Sequence, residues 1–360
     1  MTGNPLGRLR KSTLMQISAV GLVVLSATTF PVESTASARS GPFVNAAAIA
    51  ALIKSFTSTL TSKGEVDLSS IPGFANELLK SPGDHPSFSC VAGFQVLVAR
   101  QVSCVMGDVK SRKVLVVFGD SHAWQWIDVL SKVATARKWK LVTFTKEGCP
   151  DANIVYPVPP EAAYPTSEWN KPYVQCQIWR NSAFSAIAAI HPYLIVSSGQ
   201  DHPDATPSMA KGETDTLHRL IDAVTGHIRR HVLFIEDVPR SGYGSDGTVD
   251  SDVCLAASGL KVNYDSKDTA WSFADNPNVC YRSFFIANTI AKIRSAENSA
   301  ASKLRVRQVD PRPWICNTSS ASGLCPPVIG NVLTYFDSSH ITDSYAYKLA
   351  NLLGALLPAK

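Results

Sequence analysis

Two short polar segments of the 360-residue sequence combine residue types that could perform nucleophilic catalysis. The first is Gly-Asp-Ser-His at residues 119–122, which follows the apolar run 114–118 and opens a helical pattern. In an open α/β sheet, ligands bind beyond the carboxyl ends of the strands, so Ser121 lies where a ligand would bind. Free backbone N–H groups at a helix N-terminus could also stabilise an oxyanion. The alternative is a simple helix N-cap, for which Asp and Ser are favoured.

The second segment is Asp-Ser-Ser-His at residues 337–340, just before the last helical pattern. An Asp and a His that are three residues apart in a tight turn can project to the same side. The Asp337 carboxylate could then fix the position of the His340 imidazole, as a general base requires. The alternative is a capped helix start, with Asp337 or Thr342 as the cap.

The other histidines are weaker candidates for a base. Of the eight histidines, His340 alone both follows an Asp at this spacing and lies in a polar turn like the one that carries Ser121. His122 is the immediate neighbour of Ser121, so we expect it to point elsewhere and to pack in the protein or cap the helix. His202 follows Asp201 in a polar loop, where a solvated histidine is the simpler interpretation.

The elements that must position these segments alternate along the chain. Five runs rich in Val, Ile or Leu are too short to be buried helices and predict strands: 114–118, 141–144, 193–196, 232–235 and 304–309. Helical patterns fall between and after them, at 123–138, 178–190, 212–230, 282–302 and 342–356. The alternation predicts an α/β fold of three layers (α/β/α), in which helices cover both faces of a mainly parallel five-stranded sheet.

Three further segments complete the predicted organisation. Residues 39–89 form a lead-in, in which the Ala- and Leu-rich stretch 46–60 has a helical pattern. Two long inserts, 149–177 and 239–281, interrupt the alternation, and each is bracketed by cysteines. We expect inserts of this length to shape a substrate cleft.

The N-terminus has the residue order of a secretory signal peptide. Basic residues at positions 8, 10 and 11 precede the largely apolar or small-residue stretch 14–30, and Ala36-Ser37-Ala38 gives a small-x-small cleavage site. The sequence therefore predicts a signal peptide over residues 1–38 and a secreted or cell-envelope protein. An uncleaved membrane anchor is the alternative, because the apolar stretch is near the length that a bilayer span needs.

The cysteines agree with export, because an even number in an oxidising compartment indicates disulfides. We expect neighbours to pair, since each pair brackets a loop rich in Pro, Gly or polar residues: Cys90 with Cys104, Cys149 with Cys176, Cys254 with Cys280, and Cys316 with Cys325. Zinc sites need short Cys-x-x-Cys spacings, which the sequence lacks, so we expect no metal site.

Composition and charge exclude other classes of protein. With 45% hydrophobic and 18% charged residues, the chain has an ordinary globular composition. Its 34 basic and 29 acidic residues give a net charge of only +5, and no basic cluster is interleaved with aromatic residues. We therefore expect no nucleic-acid partner.

Residues 118–123 (Phe-Gly-Asp-Ser-His-Ala) and 337–342 (Asp-Ser-Ser-His-Ile-Thr) together resemble the SGNH/GDSL hydrolase superfamily. The resemblance is closest to SGNH domains that are fused to, or act beside, membrane acyltransferases of the acyltransferase-three family. Those bacterial enzymes O-acetylate cell-envelope glycans. Supporting residues stand at corresponding places: Cys90, Cys104, Gly148-Cys149-Pro150, Cys316 and Cys325. The resemblance covers roughly residues 85–358 and implies a flavodoxin-like SGNH hydrolase fold, which we assign to a domain over residues 90–360.

The resemblance also implies roles for individual residues. Ser121 corresponds to the nucleophile, His340 to the base and Asp337 to the group that orients it. The oxyanion donors would be the N–H groups of Ser121 and Gly148. The superfamily's third block is Gly-x-Asn, but here the corresponding residues are Ser198-Gly199-Gln200-Asp201. Either Gln200 supplies the amide donor or the oxyanion hole has fewer donors, which would slow hydrolysis or require a partner.

These roles imply an exported serine esterase or O-acyltransferase that acts on O-acyl groups, with acetyl expected, of cell-envelope glycans. Its expected partners are an acylated glycan or acyl donor and, for a transferase, a separate membrane acyltransferase. No cofactor is implied. The alternative is a non-catalytic carbohydrate-binding or acyl-relay module. Aromatic residues of the first insert could stack on sugars under either hypothesis, although such residues more often pack: Tyr156, Tyr164, Trp169, Tyr173 and Trp179.

Overall fold

The computed structural model of the chain describes residues 64–67, 85–158, 167, 169–201, 206–239, 261–265, 270–273, 288–315, 328–329, 332–337 and 339–358. The predicted signal peptide, the helical stretch 46–60 and the cysteine pairs 254–280 and 316–325 lie outside these residues. The two remaining predicted disulfides, Cys90–Cys104 and Cys149–Cys176, are both formed.

A seven-stranded, mainly parallel sheet forms the centre of the described protein. Its strands are β2 (Val91–Ala92), β3 (Val105–Gly107), β4 (Val114–Gly119), β5 (Lys140–Lys146), β6 (Leu194–Ser198), β7 (Val232–Ile235) and β10 (Arg307–Val309). The spatial order is β10-β7-β6-β4-β5-β2, and neighbours in this order pair in parallel. Strand β3 pairs with β5 in the antiparallel direction.

All five predicted strands are present, and the α/β class is confirmed. The strand count was wrong by two, because β2 and β3 have only two and three residues and carry no apolar run that a pattern could reveal. Their positions depend on pairing with β5 and on the Cys90–Cys104 disulfide. The predicted strand 304–309 begins later, at Arg307, because the preceding helix continues to Leu304.

Helices cover both faces of the sheet, as the alternation predicts. They are α1 (Ser121–Trp124), α2 (Ile127–Arg137), α3 (Val174–Ile190), α4 (Thr206–Ala223), α5 (Asn288–Leu304), α6 (Arg312–Ile315), α7 (Asp343–Lys348) and α8 (Ala350–Leu356). Successive side chains of β4 point to opposite faces. Leu115 and Val117 pack with residues of α2 and α8, whereas Val116 and Phe118 pack with residues of α3 and α4.

Three further strands are β1 (Gly64–Asp67), β8 (Lys261–Asp265) and β9 (Ala270–Phe273), which form an antiparallel sheet in the order β1-β8-β9. The lead-in that was predicted to be helical therefore contains a strand, and the second insert contains a hairpin that pairs with it. The strands β11 (Val328–Ile329) and β12 (Val332–Leu333) form a separate two-stranded antiparallel sheet.

Candidate active site

The turn that carries Ser121 follows the central strand β4 without any spacer. Gly119 has φ of +148°, and a Cβ at this position would lie 1.8 Å from the carbonyl oxygen of Ser198 on β6. Only glycine allows this close approach of the two backbones. Asp120 then caps helix α1, since its Oδ1 accepts the N–H of His122 at 2.8 Å. The chain thus turns sharply after β4 and presents Ser121 as the first residue of α1.

The position of β4 in the sheet places Ser121 at a topological switch point. The strands that follow it in sequence, β5 and β6, pair on opposite sides of β4, so the direction of winding changes there. Ligands in open α/β sheets bind at such a switch point, beyond the carboxyl ends of the strands. Ser121, Gly148 and Gln200 follow β4, β5 and β6, respectively, and therefore all lie at this edge.

Asp337 and His340 are brought together as the spacing predicts. The Nδ1 atom of His340 lies 2.7 Å from Oδ2 of Asp337. Oδ1 of the same carboxylate accepts the backbone N–H groups of Ser339 and His340, both at 2.7 Å. The helix that follows is capped by Thr342, whose hydroxyl oxygen accepts the N–H of Tyr345. Asp337 therefore orients the imidazole, and a different residue caps the helix.

The electrostatics of this pair suit a general base. Burial favours a neutral His340, but the Asp337 carboxylate and its hydrogen bond outweigh burial and raise the pKa of His340 above its ordinary value. Burial would likewise raise the pKa of Asp337, yet its interactions with His340 and two backbone N–H groups lower that pKa to about 2. Asp337 is thus ionised at neutral pH and its charge favours a proton on His340.

Aromatic rings enclose the imidazole of His340. Phe336 stacks on it at a centroid distance of 5.5 Å, Trp124 meets it edge-on at 5.9 Å, and the ring of His122 lies only 4.5 Å away. The Nε2 atom of His340 is buried and has no hydrogen-bond partner among the described residues, so the Ser121 hydroxyl does not donate to it in this state. Such catalytic hydrogen bonds are often long before substrate binds.

The residues predicted to form the oxyanion hole differ in which of their groups already have hydrogen-bond partners. Gly148 has φ of +55° in the turn after β5. The N–H of Gln200 is already engaged with Oδ2 of Asp120, at 2.9 Å. Asp201 is also engaged, because its Oδ2 accepts from Nε of Arg294 at 2.9 Å. The Gln200 side-chain amide has no hydrogen bond to the described residues, and the buried hydroxyl of Ser198 has none either.

Two features of this region escaped the sequence analysis. His122 is packed in the protein, as expected, but it does not point away from the site: its ring contacts that of His340, and its Nδ1 bonds to Oδ1 of Asp237. Gln125 connects the two polar segments, since its amide donates to the His122 carbonyl and accepts from the Ile341 N–H. The signal for Asp237 was its position just after β7, at the same sheet edge as Ser121.

The aromatic residues of the first insert are packing residues where the structure describes their burial. Tyr156, Tyr173 and Trp179 are all buried, so none of them offers a stacking platform for a sugar. Trp169 is partly buried and packs against the core, and Tyr164 lies outside the described residues. Within the described ranges, no group of His, Cys, Asp or Glu is arranged to hold a metal ion. In that same part of the chain, no helix combines the length and apolar character needed to cross a bilayer.

Comparisons with known proteins bear on this fold. The periplasmic domain of a lipopolysaccharide acetyltransferase from Salmonella ser. Paratyphi A is 17% identical, with a TM-score of 0.50; the match covers 80% of this chain and 98% of that one. At this identity, the likeness shows a shared fold.

Two esterases match less well. A carbohydrate acetylesterase from Sinorhizobium meliloti, Est24, has 11% identity, a TM-score of 0.33 and coverage of 67% of this chain and 96% of its own. An aryl esterase from M. smegmatis has 12% identity, a TM-score of 0.35 and the same coverages. No curated protein sequence matches the chain. The family model described as the SGNH domain (fused to AT3 domains) matches residues 89–355, and the chain belongs to this SGNH family.

Proposed function

We propose that this protein is an exported serine esterase or O-acyltransferase that works through Ser121, His340 and Asp337. The observation that carries the proposal is the His340 imidazole, whose Nδ1 is held by Asp337 while its buried Nε2 has no partner among the described residues. An imidazole in this state can accept a proton from a neighbouring hydroxyl. Ser121 lies at the switch point of the sheet and is the first residue of α1. The second residue of this helix, His122, contacts His340.

The reaction proceeds through an acyl-enzyme. Oγ of Ser121 attacks the acyl carbonyl carbon while Nε2 of His340 takes the hydroxyl proton, and the carbonyl electron pair moves to its oxygen. Collapse of this intermediate breaks the bond to the leaving alcohol, which receives the proton from His340. Water or a glycan hydroxyl then attacks acyl-Ser121, gives its proton to His340, and Ser121 leaves with that proton restored. Water yields hydrolysis, and a glycan hydroxyl yields transfer.

The oxyanion hole would be formed by the N–H groups of Ser121 and Gly148. The Gln200 amide is the alternative third donor, and without it the hole is one donor short. Asp201 stands where the SGNH/GDSL superfamily has Asn, and its carboxylate accepts from Arg294, so its side chain supplies no donor. Loss of one such donor costs about 3–4 kcal/mol of transition-state stabilisation in a well-studied hydrolase. We therefore expect slow hydrolysis of simple esters, which favours a role in transfer to a bound acceptor.

The substrate we propose is an O-acylated, specifically O-acetylated, glycan of the cell envelope, with a membrane acyltransferase as the source of acyl groups. The family description links SGNH domains to AT3 domains, and this chain has a signal-peptide-like N-terminus. The signal segment would place the domain outside the cytoplasm, released or anchored. A non-catalytic module that binds carbohydrate or relays acyl groups is the competing proposal.

One experiment separates these proposals. The purified protein is incubated with an activated acetyl ester, with and without a glycan acceptor, and mass spectrometry measures the acetylation of Ser121 and of the acceptor. Acetyl-Ser121 in wild type, with none in a folded Ser121→Ala variant, supports the nucleophile. Acetylated acceptor identifies a transferase, and free acetate alone identifies an esterase. A wild-type protein that forms neither acetyl-Ser121 nor product contradicts the enzyme and supports the binding module.

A further inference from the structure

The site contains a second imidazole–carboxylate pair that the proposed reaction does not use. His122 has no solvent exposure, and its Nδ1 bonds to Oδ1 of Asp237. Because a carboxylate can only accept a hydrogen bond, Nδ1 of His122 carries the hydrogen of this bond. The second ring nitrogen, Nε2, is not engaged by Asp237. That Nε2 is buried and has no hydrogen-bond partner among the described residues. This arrangement repeats that of His340 with Asp337.

The second pair is rigidly held. The other oxygen of Asp237, Oδ2, accepts the N–H of Asp201 at 2.9 Å, and the Asp237 carbonyl accepts from Arg294 at 3.0 Å. Arg294 in turn bonds to the Asp201 carboxylate. The N–H of His122 is bound by Asp120, so the residue is fixed at both its backbone and its ring. Such a connected network of buried hydrogen bonds allows the His122 ring little freedom.

The two imidazoles are in contact. Their centroids are 4.5 Å apart and their planes are inclined by 46°. Phe336 stacks on the His340 ring as well, with an interplanar angle of 10°. The His340 imidazole is therefore in contact with both His122 and Phe336, and of these two rings only that of His122 is polar.

We propose that His122, held by Asp237, is a positioning residue of this active site, which orients the His340 imidazole and places the negative charge of Asp237 close to it. The inference rests on the proposed function only in its kinetic consequences, because the orientation and charge of His340 can be measured without turnover. His122 acts through His340 and is assigned no contact with substrate.

The charges around His340 make the proposal measurable. Asp337 faces the imidazole from its own loop, Asp120 and His122 from the turn after β4, and Asp237 from the end of β7. Burial lowers the pKa of His340, whereas Asp337, Asp120 and Asp237 raise it. Removing the charge of Asp237 should therefore lower this pKa, although Asp237 makes no direct contact with His340.

The positioning role of His122 is tested by an NMR titration of the histidine ring nitrogens. The His340 signal is assigned by its loss in His340→Gln. In Asp237→Asn, we expect the His340 midpoint to fall by roughly one pH unit. In His122→Phe, which keeps an aromatic ring but leaves the Asp237 charge less compensated, we expect the midpoint to rise. The matched control is Asp343→Asn, which removes a carboxylate bonded to another buried histidine, His85, and should leave the midpoint unchanged.

Midpoints that move in opposite directions in the two test variants and stay fixed in the control support the proposal. An unchanged midpoint in a folded Asp237→Asn, or an equal shift in Asp343→Asn, overturns it. If both test variants fail to fold, the wild type decides: the His122 ring signal must show an inflection at the His340 midpoint, and its absence overturns the proposal.

Ester hydrolysis is measured in parallel. With the activated acetyl ester, and at a pH above the His340 midpoints of both proteins, His122→Phe should lower kcat by about tenfold or more with little change in KM, because the orientation of the base is altered and no contact with substrate is lost. A wild type without esterase or transferase activity, combined with the expected midpoint shifts, would reject the proposed function and keep this inference. Active protein whose variants leave the His340 midpoint unchanged would keep the proposed function and reject this inference.

Discussion

The side-chain oxygen of Gln125 accepts a hydrogen bond from the backbone N–H of Ile341, at 3.0 Å, across a separation of 216 residues. The Gln125 amide nitrogen donates at the same time to the carbonyl oxygen of His122, also at 3.0 Å. One buried side chain thus joins the turn that carries Ser121 to the loop that carries His340. The relative position of the proposed nucleophile and the proposed base therefore depends on this amide.

Replacing Gln125 by methionine should misalign the two loops. Methionine has a similar length but satisfies neither the Ile341 N–H nor the His122 carbonyl, so we expect the free energy of unfolding to fall by about 2 kcal/mol. We also expect kcat/KM for an activated acetyl ester to fall by about tenfold or more, since a small misplacement of reacting groups is costly. Gln101→Met at an exposed position is the control. Equal kcat/KM for the two variants would show that the link does not align the site.

Replacing Asp337 by asparagine should change both the rate and its pH dependence. The backbone N–H groups of Ser339 and His340 would bind the amide oxygen, which turns the amide NH2 toward Nδ1 of His340. That orientation favours the tautomer with hydrogen on Nε2, which cannot take the Ser121 proton. We expect kcat/KM to fall by about 10²–10⁴-fold.

The pH dependence has a definite sign. In wild type, kcat/KM should rise with pH through the pKa of His340, which Asp337 holds above the ordinary value of about 6.5. Loss of the carboxylate charge should move this acidic limb to lower pH. If Asp337 served only as a helix cap, asparagine would cap equally well and the two pH–rate profiles would overlay.

The disulfide Cys149–Cys176 closes the first insert, and its first cysteine directly follows Gly148 in the sequence. A Cys149→Ala/Cys176→Ala double variant should lose about 3–4 kcal/mol of unfolding free energy, because the open loop has more freedom when unfolded. Activity should fall as well, since Gly148 is a proposed oxyanion donor. The matched control is the double alanine variant of Cys90 and Cys104, expected to lose stability but to keep more activity. The reverse order of activities would contradict the role of Gly148.

Lys146, at the end of β5, is fully buried and should contribute strongly to stability. Its ammonium donates to the carbonyl oxygens of Gly93, Phe94 and Val96, at 2.6, 2.9 and 3.1 Å. In Lys146→Met these acceptors lose their donor, so we expect the free energy of unfolding to fall by about 2–4 kcal/mol. Denaturant unfolding of this variant should be compared with Lys140→Met at the other end of the same strand. Equal stability of both variants would contradict this role.

The sequence was sufficient for the features that depend on local patterns. Runs such as 114–118 predicted every long strand of the sheet, and the spacing of Asp337 and His340 predicted their hydrogen bond. Both are properties of a few consecutive residues. The α/β class followed from the alternation of these runs with helices.

Features that depend on long-range contacts were missed. The strands β2 and β3 are too short for a pattern and exist because β5 offers them backbone partners. The pairing of His122 with Asp237 spans 115 residues and no local spacing encodes it. It becomes foreseeable only by asking which polar residues follow each parallel strand, because those residues meet at one edge of the sheet.

The two proposed catalytic segments are far apart in the sequence, which affects how the site would assemble during folding. Ser121 follows the first long strand of the sheet, whereas Asp337 and His340 belong to the loop before α7. A chain under synthesis therefore carries the proposed nucleophile long before the proposed base, and contacts between residues so far apart in sequence form slowly in folding. The last two helices pack against α2 in one core cluster. If the proposed roles hold, we expect partly folded chains, in which these helices have not yet packed, to lack the reactivity of Ser121.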